Sequence, residues 1–142
     1  WRFREDISEA TAPYMPYKND VSVTISNVPG FLRDTDRVLK QNYPDFEVVW
    51  FGHFGDGNMH INICKPANLD KAEFVKKCQS ADKLLFDVIK NYGGSVSAEH
   101  GVGLVKKPYL TYTRSAEEIA MMRGIKKVFD PDGILNPGKI FD

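Results

Sequence analysis

Two rhythms of hydrophobic spacing run along this chain. In VSVTIS, residues 21–26, Val21, Val23 and Ile25 alternate with Ser22, Thr24 and Ser26, which predicts a half-buried strand. Between Asn27 and Tyr43 the apolar residues Phe31, Leu32, Val38 and Leu39 form a helical stripe, with Pro29 suited to a first turn and Pro44 to a stop. FEVVWF, residues 46–51, and HINIC, residues 60–64, are rich in β-branched and aromatic residues and predict two more strands. Asp70 to Tyr92 carries the clearest helical pattern: Phe74, Val75, Cys78, Ala81, Leu85, Val88 and Tyr92 follow at intervals of three or four. Asp70 with Glu73 fits a capping box, and Gly93-Gly94 supplies a left-handed stop. SVSAE, residues 95–99, predicts a short strand. Ser115 with Glu118 starts a last helix through Ile119, Met122, Ile125, Val128 and Phe129, ended by Pro131. The polar segment 2–10 reads as part of a helix broken by Pro13 and Pro16.

From residue 21 the order is strand, helix, strand, strand, helix, strand. That is the split βαβ, ferredoxin-like pattern of an α+β domain: an antiparallel sheet with two helices on one face. Residues before 21 and after 100 are additions to that core, the latter a C-terminal helical extension.

Composition narrows the picture without deciding it. The 142 residues suffice for one domain with a real core. Nineteen basic residues balance nineteen acidic ones, which argues against a broad nucleic-acid or anionic-membrane surface. No apolar run approaches the roughly 20 residues of a membrane span, and no signal peptide is visible. Cys64 and Cys78 read as two buried thiols rather than a disulfide. The chain opens on Trp1 and reads as a piece of a longer protein.

The chemistry concentrates in GHFGDGNMHIN, residues 52–62, which holds two of the three histidines. Asp56-Gly57 is a strong two-residue hairpin signal. With that turn, His53 pairs with His60, and opposed side chains on one face lie about 4.5–5.5 Å apart at Cβ. Phe51, His53, His60, Asn62 and Cys64 then share one face, and Val48, Trp50, Ile61 and Ile63 the other. A wider loop shifts this register. Glu99-His100, in SAEHG, follows a predicted strand and precedes Gly101 and Gly103. Two histidines and a carboxylate suit a divalent metal and leave positions open for substrate. His100 is the type of group that serves as a base near neutral pH. From spacing alone the histidines are either ligands or bystanders at a turn. On the residues alone Arg4, Lys18, Lys106, Lys107 and Arg114 read as surface charge.

GHFGDGNMHINI, SAEHGVGL and DPDGILNPGKIF, with WRFRE and YKNDVSV, together resemble the C-terminal substrate-binding domain of FAD-linked 2-hydroxy-acid dehydrogenases, vanillyl-alcohol-oxidase-type flavoproteins. The match runs over nearly the whole chain, and GSVSAEHGVGLVKK looks closest to the D-2-hydroxyglutarate and D-lactate branch. The resemblance implies a ferredoxin-like core, and FAD bound by an N-terminal domain absent from this chain. It implies that His53, His60 and Glu99 ligate a divalent metal, often zinc, and that His100 is the catalytic base. It further implies that Arg4 and Lys18 bind substrate carboxylates with Asn62 as a polar contact. Ser8 stands where the closest relatives often carry threonine, a hydroxyl kept beside the same substrate. Asn136 and Lys139, in NPGK, match a stretch that returns toward the flavin. The partners implied are a small 2-hydroxy acid, the FAD-binding domain, an external electron acceptor and a second copy in a homodimer. The location implied is the cytoplasm, a membrane periphery reached through the acceptor, or the mitochondrion of a eukaryote. The competing readings are a non-catalytic ferredoxin-like binding module and a flavin-free metal-dependent hydrolase or oxygenase.

Overall fold

The computed structural model describes residues 2–141, with side chains from Asp6 onward. Helix α1 (Arg2–Thr11) leads through a short 3-10 turn to strand β1 (Tyr17–Ser22). Helix α2 (Val28–Asn42), strands β2 (Val48–Phe51) and β3 (Asn58–Ile63), and the long helix α3 (Lys71–Asn91) follow. A 3-10 segment at Lys107–Tyr112 precedes helix α4 (Ala116–Phe129). The sheet is antiparallel, with β3 central between β1 and β2. Both helices α2 and α3 pack on one face of it, so the α+β expectation holds.

Local chemistry explains the helices. Asp70 caps α3 by accepting from the amides of Ala72 at 2.8 Å and Glu73 at 3.1 Å. Ser115 and Glu118 close a reciprocal capping box on α4. In α2, Val28, Phe31, Thr35 and Leu39 turn inward at helical spacing. They meet Phe74, Cys78, Leu85, Phe86 and Ile89 of α3, and Met59, Ile61 and Ile63 of β3. Both cysteines are buried and free, as expected. Burial pushes the Cys78 thiol up to about 12, so it is an inert core group.

Three expectations about strands are corrected. The first strand lies at 17–22, not 21–26. Its core-facing side reads Tyr17, Asn19, Val21, opposite Ile63, Ile61 and Met59. A polar residue at the centre of that series broke the alternation that marks a strand. Beyond Ser22 the chain leaves the sheet: the Val23 amide bonds the carbonyl of Gly57 at 3.0 Å, and Ile25 is exposed in a 3-10 turn. Residues 95–99 form no strand; one bridge, Ser22 to Ser95, stands at the outer edge of β1 where a fourth strand would lie. Gly94 enters that bridge because a Cβ there would sit 2.4 Å from the Ser22 carbonyl oxygen.

The hairpin register also differs from the expected one. Phe51, not His53, pairs with His60. The connection is wider than two residues: Phe54–Asp56 form a 3-10 turn, and the amides of Asp56 and Asn58 both bond the His53 carbonyl. Gly57 closes the turn at φ 75°, and a Cβ on it would fall 2.0 Å from the Val23 carbonyl oxygen. Only glycine satisfies both the dihedral and that approach.

Lys106 is corrected as well. It is buried, not surface charge. Its ammonium donates to the Asn19 side-chain oxygen Oδ1 and lies 4.7 Å from the Phe86 ring centroid. Asn19 donates to Asp82 at 2.9 Å, and the Tyr17 hydroxyl donates to the same carboxylate at 2.6 Å. Burial raises the Asp82 carboxyl above its ordinary range, opposed by the Tyr17 hydrogen bond and the Lys106 charge. Burial holds the Lys106 ammonium below its ordinary value.

Candidate metal and substrate site

The helices cover one face of the sheet; chemistry gathers on the other. Strand alternation sends Lys18, Asp20 and Ser22 of β1 to that second face, beside Asn62, His60 and Asn58 of β3. Val49 and Phe51 of β2 share it. His60 lies centrally, with the Phe51 ring at 4.9 Å and the His100 ring at 5.6 Å between centroids.

The loop after Ser95 brings Glu99 and His100 over this face, and Asp20 holds it there. Asp20 is 4% exposed. Its Oδ2 accepts from three consecutive amides, Ala98 at 3.1 Å, Glu99 at 2.7 Å and His100 at 2.9 Å. The same oxygen lies 3.7 Å from His100 Nδ1, and Oδ1 lies 3.7 Å from His60 Nδ1. Ser97 Oγ donates to the Gly101 carbonyl at 2.9 Å and tightens the turn.

His53 sits at the rim, in the β2–β3 connection. Its Nδ1 is 3.0 Å from Glu99 Oε1, and Asn58 Nδ2 donates to the same carboxylate oxygen. The structure thus joins two of the expected ligands, His53 and Glu99, directly. It places the third, His60, against Asp20 and His100. The ligating atoms of Asp20, His60 and His100 all lie within 4.8 Å of one another, a geometry that could also hold a cation.

The donor chemistry fits a divalent ion. Imidazole nitrogens and carboxylate oxygens converge on one small area, the ligand types that zinc and similar metals take. Three buried polar atoms on the same face, Asp20 Oδ1, Asn58 Oδ1 and Asn62 Nδ2, have no hydrogen-bond partner among the described residues. Buried polar atoms are costly without one, by about 1–3 kcal/mol each. All three belong to the strand positions around His60.

The other expected residues are more scattered. Lys18 lines a cavity of about 290 Å³ with Asp20, Ser97, His100 and Lys106. Asn62 is buried in β3. Ser8 is exposed on α1. The Arg4 side chain lies outside the described residues. Asn136 and Lys139 line a separate cavity of about 360 Å³ together with Arg123, Lys126 and Lys127. Asp20 and Asn58 escaped the sequence reading. Asp20 stands in the same YKND run as Lys18, two positions on, and period two puts both on one face; nothing in the sequence reveals that its partners lie some 80 residues away.

Residues 1–140 match the model of the family described as FAD linked oxidases, C-terminal domain. The chain belongs to that family. A D-2-hydroxyglutarate dehydrogenase of Xanthomonas citri pv. viticola is 61% identical over 142 residues, all of this chain and 30% of that protein. A protein of the same name from Stutzerimonas stutzeri is 55% identical over 141 residues, 99% of this chain and 30% of its own length. A D-lactate dehydrogenase of Anaerostipes hadrus is 38% identical over 121 residues, 85% of this chain and 25% of that protein. This FAD-linked oxidase domain therefore spans about 30% of the length of the first two. Among its described residues no helix is long and apolar enough to cross a membrane.

Proposed function

We propose that this chain is the metal- and substrate-binding part of an FAD-dependent dehydrogenase that oxidises a D-2-hydroxy acid, of the D-2-hydroxyglutarate or D-lactate type, to the 2-oxo acid. The observation that carries this is the pair of contacts on one sheet face, His53 with Glu99 and His60 with His100, in a domain of the FAD-linked oxidase family. His53, His60 and Glu99 would hold the metal, zinc or a similar divalent ion. When bound, the metal would supply a Lewis acid for the substrate hydroxyl and the flavin an acceptor for the hydride of the adjacent carbon.

The chain's own residues do the rest. His100, over half exposed at the mouth of the Lys18 cavity, takes the hydroxyl proton on a ring nitrogen. Lys18 supplies a point charge for a substrate carboxylate, and Arg4 a planar fork. Asn62, whose buried amide nitrogen has no partner among the described residues, donates to a substrate oxygen. The Phe51 ring shields one side of His60 from water. Ser8 adds a hydroxyl from α1, and Asn136 and Lys139 face the flavin-bearing part. That part, the electron acceptor and a second copy are the partners of this reading, and the cytoplasm is its location.

Titration of the chain with zinc or cobalt tests the site. His53→Ala, His60→Ala and Glu99→Ala are each expected to weaken binding about tenfold or more. Equal binding in all four proteins would remove the site assignment. Assay of the full-length flavoprotein with a dye acceptor across D- and L-2-hydroxy acids tests the reaction. Turnover confined to L-acids would exclude it.

A further inference from the structure

We infer that Asp20 is the positioning residue that assembles this site, holding the Glu99-His100 loop with one carboxylate oxygen and setting the ring tautomer of His60 with the other. The inference rests on the proposed metal site for its consequence, but on bonds within the chain for its geometry.

A surface aspartate would face water. This one is 4% exposed and sits in the middle strand position opposite His60. Burial of a carboxylate is costly unless its charge is met by donors. Asp20 Oδ2 meets that demand with three successive backbone N–H groups, from Ala98, Glu99 and His100. Consecutive amides turned onto one oxygen form an anion-binding concavity, here filled by the protein's own side chain. The bonds act where the predicted fourth strand is lost. A strand would direct these amides into the ladder. The carboxylate gathers them instead, and so turns the Glu99 and His100 side chains over His60.

The second oxygen faces His60. Oδ1 is buried, has no hydrogen-bond partner among the described residues, and lies 3.7 Å from His60 Nδ1. A carboxylate accepts only. It therefore favours the tautomer with the proton on Nδ1, which leaves Nε2 with its lone pair. A ligating histidine needs that lone pair, and a carboxylate on the far ring nitrogen is the usual way to secure it. With three amides on Oδ2 and His60 facing Oδ1, Asp20 serves the ligands better than it could serve as one.

The test uses nitrogen-15 NMR of the whole chain without metal, and then zinc titration. In the unaltered protein His60 is expected as the Nδ1–H tautomer, with the Glu99 and His100 amides protected from exchange. Asp20→Asn keeps a carbonyl oxygen for the loop but offers an N–H₂ group to His60. It is expected to invert the tautomer to Nε2–H, keep partial loop protection and weaken zinc binding about 10- to 100-fold. Asp20→Glu, which restores the charge at a longer reach, is expected to recover the tautomer in part. An Nε2–H tautomer in the unaltered protein overturns the inference, as does an Asp20→Asn protein with unchanged His60 signals. The ring and amide readouts need no metal, so failure of the unaltered chain to bind zinc counts against the proposed metal site and leaves the Asp20 result to stand or fall on those signals.

Discussion

Asp82 shows what a single buried charge demands. Tyr17, Asn19 and, through Asn19, Lys106 all attend it. Removing the carboxylate leaves the Tyr17 hydroxyl and the Asn19 amide without their acceptor, so Asp82→Ala is expected to cost about 1–3 kcal/mol for each donor left unpaired, read in chemical denaturation. The pH dependence has a definite sign. The folded carboxyl is raised above its unfolded value, so the folded state holds the proton more tightly. Its contribution is full below the ordinary carboxylate range and is lost as pH rises through the raised value. Stability measured from about pH 4 to about pH 7 should therefore fall less, or rise more, in Asp82→Asn than in the unaltered chain. Lys106 has the opposite logic at alkaline pH: its folded value is lowered, so stability is recovered only as the ammonium loses its proton. At Gly57 the demand is on the backbone. Gly57→Ala forces a positive φ and a clash with the Val23 carbonyl, with an expected loss of at least about 1 kcal/mol in thermal or chemical melting. Because Gly57 anchors the turn carrying His53, binding at the proposed metal site should fall with it.

Elements follow their ends more closely than their middles. The helices were legible because their signals are local: Asp70 three residues before Glu73, Ser115 three before Glu118, Pro29 and Gly93 at the boundaries. Ser115→Ala should cost about 1 kcal/mol, seen as faster amide exchange within α4 alone, since that helix buries none of its described residues. Strands were less legible because their signals are relational. Asn19 occupies a core-facing position only because Asp82 and Lys106, some 60 and 90 residues on, complete it. The hairpin register hinged on whether Asp56-Gly57 closes as a two-residue turn, and the 3-10 turn with Gly57 bonded to Val23 decided otherwise. At the site, Glu99-His100 stood out through the flanking glycines. The three-amide grip of Asp20 did not, because a carboxylate carries no mark of which distant loop it binds.

At the scale of the whole molecule, the polarity is uneven. The core between α2, α3 and the sheet is dense and closed. The C-terminal part is not: Met121, Ile125, Val128 and Phe129 project from one side of α4 and are 60–77% exposed, next to exposed Ile134 and Leu135. Asp130 keeps that last turn in shape by accepting from the amides of Ile134 and Leu135 at 2.9 and 3.0 Å. Contiguous apolar surface of this kind is rare on a free-standing protein, and the relatives are more than three times as long as this chain. Studied alone, the chain should therefore be a poor colloid. Its sedimentation coefficient should climb with concentration and its solutions should cloud on warming before the core melts. A Val128→Glu, Phe129→Lys pair of changes should hold it monodisperse without moving its melting temperature.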